Sequence, residues 1–387
     1  MSRFLWSVLN GLIVGMLVAC GSAPVSLAPS QLPVATVMPP QPAAERVESA
    51  PVLPASIVQA RSRWTAVPWS DLPGWGQDPL HEAWNAWLKS CERPGPVFAP
   101  LCGEVRRLSL GSAEQQRDWM MSRLQPYRVD ALQGGSEGLL TAYFEPMLDA
   151  SRRASAAFSV PLYRPPAGLA QRKPWYTRQE IDTQAPVQAL LKGREIAFLA
   201  DPIDALVLQI QGSGRIRIAE ADGTQRQVRL AYAGSNEQPY KSVGRWLIDQ
   251  GALRDASWPA IKAWAAQNPQ RVNELLWSNP RTVFFKEEPL SEQDAVWGPK
   301  GAQGVPLTPG RSIAVDPGSI PYGTPVWLAS SGPTAQLHRL VMAQDTGSAI
   351  VGGVRADYFA GWGSAAAELA GRLKQPLRLW VLWPRIQ

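Results

Sequence analysis

The chain has 387 residues, 45% of them hydrophobic and 18% charged, and a formal net charge of +6. That length is too great for one compact core, so two domains, or one domain carrying an insertion, are expected. The basic balance suits an anionic polymer, yet no Lys/Arg run approaches the patch that nucleic acid demands, and nucleic acid is set aside.

In chain order, Arg3 precedes an apolar stretch from Leu5 to Val18, and Leu17-Val18-Ala19-Cys20 followed by Gly21 resembles the cleavage site of bacterial lipoprotein signals. Residues 1–20 are therefore a targeting segment with Cys20 as the lipidated residue. By the same resemblance, Gly21 after the Cys favours the periplasmic face of the outer membrane. Residues 21–60 are rich in Pro, Ala, Val, Ser and Gln without any helical or strand period, and read as a tether. In that exported setting the remaining cysteines, Cys91 and Cys102, form a candidate disulfide closing a short Pro-rich loop.

Residues 79–91 place Leu80, Trp84, Trp87, Leu88 and Cys91 on one helical face. Ser112 with Gln115 forms a capping-box signature for a helix reaching about Leu124. Residues 138–145, 158–163 and 205–211 read as strands, the last turning at Gly212-Ser213-Gly214. Helices are expected at 242–250, ended by Gly251, at 257–267, and at 269–278 with Asn268 as cap and Pro269 at the first position. The pattern then returns to strands at 282–286, 311–315, 324–329, 337–343 and 377–382, with a short helix near 363–373.

The chemistry is narrowed by what is missing. The chain has only two histidines, His81 and His338, and neither belongs to a Gly-x-Ser-x-Gly, Cys/His or zinc-helix pattern. No metal-ligand spacing is present, and no cofactor is called for. Gly212-Ser213-Gly214 lacks the Gly-Lys-Ser/Thr of a phosphate loop.

Carboxylates remain. Asp316, Asp345 and Asp357 each sit at the edge of an apolar run, where a strand would end. Asp357, flanked by Ala356, Tyr358 and Phe359, has the most apolar setting, and an acid in such a setting holds its proton to higher pH and can protonate a glycosidic oxygen. Asp316 and Asp345 sit beside Pro317-Gly318 and Thr346-Gly347, where an Asx turn explains them equally well. Among 17 tryptophans, Trp175, Trp277, Trp297 and Trp362 adjoin polar or turn positions as candidate sugar-stacking rings, whereas Trp84, Trp87, Trp246 and Trp264 fall on helical apolar faces and read as packing.

Six segments in order resemble one known family: Leu140 to Pro146, Leu208 to Gly214, Tyr240 to Arg245, Asn279-Pro280 with Val283 to Phe285, Ser312 to Asp316 with Ile320 to Thr324, and the Asp345/Asp357 block. Over residues 138–385 the chain is similar to the membrane-bound lytic murein transglycosylase A family with its three-aspartate domain. The resemblance implies a mainly β protein with helices: a double-psi β-barrel from residues 61–154 and 286–387, an inserted, mostly β domain at 155–285, and a groove for a peptidoglycan strand between them. It also implies cleavage of the β-1,4 bond between N-acetylmuramic acid and N-acetylglucosamine without water, leaving 1,6-anhydromuramoyl ends.

By the same resemblance Asp357 is the catalytic acid, with Asp345 and Asp316 supporting it. Tyr143, Glu145, Gln211, Ser213, Gly214, Lys241, Thr346 and Gly347 are implied as substrate-binding residues. Where the family shows Gly, Gly, Lys and Trp, this chain has Ala142, Ser348, Val351 and Ala360; none of these changes removes a carboxylate. Two other functions are open to the same residues. One is a barrel hydrolase activating water through a second carboxylate, for which Glu145 is the motif-borne candidate. The other is a non-catalytic peptidoglycan-binding lipoprotein.

Overall fold

The structure, a computed structural model, describes residues 53–385. Cys20 and almost all of the expected tether lie outside the described residues. Four strands open the fold: β1 (Ile57–Val58), β2 (Ser62–Ala66), β3 (Leu124–Ala131) and β4 (Gly138–Glu145). A second sheet follows, made of β5 (Met147–Ser151), β6 (Val160–Tyr163), β7 (Glu195–Leu199), β8 (Ser213–Ala219), β9 (Gln225–Ser235) and β10 (Val283–Pro289). The chain then returns to the first sheet with β11 (Ser312–Val315), β12 (Pro325–Ser331), β13 (Gln336–Asp345), β14 (Arg355–Trp362) and β15 (Lys374–Pro384).

The first sheet closes on itself. Its order is β1-β2-β3-β15-β12-β13-β11-β14-β4, and β4 pairs back onto β15. The last strand is long enough to do both: Lys374–Leu377 face β4, while the residues beyond face β12 and β3. A closed ring leaves no free edge along those strands, and its inward side chains fill the interior. Val326 and Leu328 of β12 point into that core with Val341, Leu379 and Val381. The alternate residues Trp327 and Ala329 pack outward beneath Trp84 and Trp87 of the helix Leu80–Ser90. The period of two therefore divides one strand between two cores, and explains why β12 reads as a continuous apolar run.

Ser112 and Gln115 form both halves of the capping box, and the helix runs Ala113–Arg123. Cys91 and Cys102 are joined by a disulfide under the same helical layer. The loop spans a sequence separation of 11, so by chain entropy the bond stabilises the fold by about 3 kcal/mol. Urea titration of Cys91→Ser/Cys102→Ser is expected to show that loss, with a slope at least as steep because the unfolded chain is less constrained. A change below about 1 kcal/mol would mean that the helical layer orders the loop without it.

Residues 205–211, expected as a strand, are the second half of a helix, Pro202–Gln211. Asp201 caps it by accepting from the Ile203 amide, Pro202 occupies its first turn, and Gly212 ends it in the left-handed region at φ 81°. Ala205 and Leu208 pack on the second sheet while Ile203, Leu206 and Val207 pack among the neighbouring helices. A helix buried on both sides shows no amphipathic period, so its short apolar run resembles a buried strand.

Asn268 does not act as the expected cap. Its amide donates back to the Trp264 carbonyl, and residues Pro269–Arg271 form a tight turn before the helix Val272–Trp277.

Candidate active site

The pairing register assembles the aspartates. Ala314 of β11 lies between two of them, paired with Asp345 of β13 on one side and with Asp357 of β14 on the other; Asp357 in turn pairs with Thr141 of β4. Residues directly opposite in a sheet project from the same face, so both carboxylates rise from one row, roughly 10 Å apart at Cα. Asp357, expected at a strand end, stands inside β14.

Asp357 is half-buried and held by one oxygen. The Thr141 hydroxyl donates to Oδ1, and Thr141 Oγ1 itself accepts from Arg355 Nη2 at 2.8 Å. Oδ2 has no partner among the described residues. Burial pushes this carboxyl above the usual carboxylate range, against the Thr141 hydrogen bond and the Arg355 charge. Asp345 is arranged differently. Tyr143 Oη donates to its Oδ2 at 2.8 Å and the Ala302 amide to its Oδ1 at 2.9 Å, so both oxygens are engaged. Burial raises its pKa too, opposed by those bonds and by the Thr346 amide. The Tyr143 phenol is held well above its ordinary value, chiefly by burial and then by the neighbouring Asp345 charge, so it remains a donor.

The approach of Ala302 depends on Gly301. A Cβ there would stand 2.5 Å from the Gln344 carbonyl oxygen, so the loop can lie against Asp345 only with glycine at that position.

Asp316 accepts from the Gly318 amide at 2.9 Å and the Gly352 amide at 2.8 Å. It ties the turn after β11 to the loop before β14, and so fixes the strand that carries Asp357.

A groove of about 560 Å³ opens beside this row. Tyr143, Gln211, Ser213, Asp345, Thr346 and Gly347 line it, as the resemblance implies; Asp357, Asp316, Glu145, Gly214 and Lys241 are not among its lining residues. Gln211 Oε1 also accepts from the Phe144 amide at 3.0 Å, tying the end of its helix to β4.

Three implied binding residues have other roles. Glu145 is fully buried and bonded to Arg215 at 2.8 Å and Arg229 at 2.6 Å. Gly214 is a close-packing position, where a Cβ would meet Leu208 Cδ1 at 2.4 Å. Lys241 is exposed, and its backbone amide donates to Asn279.

The tryptophan expectations change as well. Trp175 is buried against Phe284 and Leu191, and Trp362 lies under the Arg215 guanidinium at 3.5 Å. No tryptophan among the described residues lines the groove; its aromatic rings are Tyr143 and the exposed Tyr232. The residues that hold Asp357, Thr141 and Arg355, went unassigned in the sequence. Their signal was the period of two: Thr141, Tyr143 and Glu145 share one face of β4, and each serves a different charged partner.

Comparison with known proteins agrees with this architecture. Residues 139–286 match the MltA specific insert domain and residues 311–383 match the 3D domain. A membrane-bound lytic murein transglycosylase A of Vibrio cholerae is 32% identical over 292 residues, covering 70% of this chain and 74% of that protein. The solved structure of the lytic transglycosylase LtgG of Burkholderia pseudomallei is 42% identical, with a TM-score of 0.58 over 86% of this chain and 100% of that one. E. coli MltA with bound chitohexaose is 25% identical, with a TM-score of 0.69 over 84% of this chain and 95% of that one.

Proposed function

The chain belongs to the membrane-bound lytic murein transglycosylase A family and acts as a lytic transglycosylase on peptidoglycan; we propose that Asp357 is the single general acid and base of that reaction. The observation that carries this reading is the contrast between the two carboxylates of the row. Asp345 has both oxygens engaged by Tyr143 and Ala302, whereas Asp357 has one oxygen anchored by Thr141 and the other unclaimed. A proton held on that free oxygen goes to the glycosidic oxygen as the C1–O bond breaks and an oxocarbenium-like state develops. The muramoyl C6 hydroxyl then closes onto C1 and returns its proton to the Asp357 carboxylate. No water is consumed, and the new end is a 1,6-anhydromuramoyl group.

A hydrolytic route through Glu145 is disfavoured by its burial between two arginines, which leaves no second motif carboxylate free to activate water. Asp345 and Asp316 act as positioning residues, Asp345 through Tyr143 and the charge it places near Asp357, Asp316 through the loop before β14. The barrel carries the aspartates, and the second sheet supplies the other wall of the groove for the glycan. Mass spectrometry of soluble fragments released from purified peptidoglycan tests the reading. Anhydromuramoyl ends are expected; reducing ends would overturn it in favour of a hydrolase.

The same proposal includes anchoring through lipid at Cys20 to the periplasmic face of the outer membrane. It is supported by the Leu17 to Cys20 motif and by relatives named membrane-bound. No helix among the described residues is long and apolar enough to cross a membrane. Cys20→Ser is expected to abolish fatty-acid labelling and release the protein from membrane fractions. Retention of both would defeat the anchor.

A further inference from the structure

Next to the groove lies a smaller cavity of about 40 Å³, which shares Gln209, Arg281 and Ser348 with it and adds Arg178, Tyr240 and Asn279. That volume holds roughly three waters, or one group the size of a carboxylate. Arg178 is only 7% exposed. Its Nε donates to the Asn279 carbonyl at 3.1 Å, and its Nη2 donates to Gln209 Oε1 at 2.8 Å and to the Arg281 carbonyl. All these acceptors are neutral. Nη1 has no partner among the described residues, and no carboxylate among them forms an ion pair with this guanidinium.

The charged group that acts on Arg178 is Asp182, one turn along the same short helix, and it does so through space while accepting from Trp277 Nε1 at 2.9 Å. Burial accordingly pushes the Arg178 guanidinium down to about 10. Arg281, half-buried on the wall common to both cavities, donates Nη1 to the Gln238 carbonyl at 3.1 Å and likewise forms no ion pair among the described residues. Lys286 of the groove differs, being paired with Glu288 at 2.7 Å. A buried guanidinium without an ion pair costs stability, and its convergence with the half-buried Arg281 on one small cavity marks a place prepared for an anion.

We propose that Arg178 and Arg281 form a carboxylate subsite, which takes an acidic group carried by the substrate beside its glycan backbone. The planar fork of arginine suits a carboxylate, and each bond to it is charge-assisted. The inference rests on reading the groove as the peptidoglycan site. Peptidoglycan supplies such a group from two sources, the carboxylates of its stem peptides or, where those are removed, the lactyl carboxylate of the muramic acid itself.

The test measures affinity calorimetrically in an Asp357→Asn background, where turnover does not interfere. The ligands are chitohexaose, which has no carboxylate, a glycan hexamer stripped of peptides, and the same hexamer bearing peptides. Arg281→Gln is expected to weaken one or both acidic ligands roughly 10- to 100-fold more than chitohexaose. Loss confined to the peptide-bearing hexamer assigns the stem peptide; loss with the stripped hexamer assigns the lactyl group. Equal losses for all three ligands, or none, would overturn the subsite. Arg178→Lys, which keeps the charge, should retain part of the selectivity, and thermal melting confirms that it folds. These affinity ratios do not depend on which ends the parent enzyme makes, so failure of the Asp357 reading and failure of the subsite remain distinguishable.

Discussion

Asp357→Asn should reduce the release of anhydromuramoyl fragments by about 10²- to 10⁴-fold, the contribution of a positioned general acid. The substitution keeps the shape of the side chain and its bond to Thr141, and removes only the titrating proton. Because the acid must hold that proton to act, activity of the parent is expected to fall as pH rises through the elevated pKa of Asp357. The stability of the parent should fall over the same pH range. A carboxyl whose pKa is raised by folding contributes stability that is fully present below its unfolded pKa and lost as pH rises through the folded one. Asp357→Asn should therefore melt with the parent in acid and above it near neutrality. A variant that lost activity together with a lower melting temperature at pH 7 would show damage to the fold, and would withdraw the catalytic assignment.

The second large effect concerns Glu145, which decides how the two sheets are joined. Glu145 ends β4, and its carboxylate holds Arg215 of β8 and Arg229 of β9; both arginines also donate to the Trp297 carbonyl. The three side chains are 0%, 9% and 7% exposed, so the charges are satisfied almost entirely by one another and by backbone. Replacing both partners with apolar residues can be neutral, but removing one leaves buried charge without compensation. Glu145→Ala is expected to cost about 3–5 kcal/mol, seen as a melting temperature lower by on the order of 10 °C. If the variant melted like the parent and instead lost affinity for chitohexaose, Glu145 would return to the groove.

Much of the site was legible in the sequence because its chemistry sits in local patterns. The three aspartates, Tyr143 and the Thr346-Gly347 turn all stand in short motifs, and the strands that carry them alternate or run apolar. What escaped detection depends on contacts far apart in the chain. Nothing near Thr141 announces Asp357, 216 residues away, or reveals that Arg355 completes the relay. Glu145 sits in the same motif as Tyr143, but one alternation further along the strand it meets two arginines instead of open space. The helix Pro202–Gln211 was missed for a related reason: both its faces are buried, which erases the period by which helices are recognised.

The closing strand β15 also sets an order in time. The ring that carries Asp345 and Asp357 uses Lys374–Pro384, the last strand among the described residues, to bridge β4, β12 and β3. Both aspartates therefore precede in sequence the strand that closes the frame aligning them. Until β15 pairs, β4, β12 and β3 each present an unpaired edge that invites pairing with other chains. The pairing of β4 with β15 joins segments as far apart in sequence as Thr141 and Lys374, and such distant contacts make folding slow. Assembly of the site thus waits on β15, and a chain lacking that strand is expected to aggregate instead of acting as a weakened catalyst.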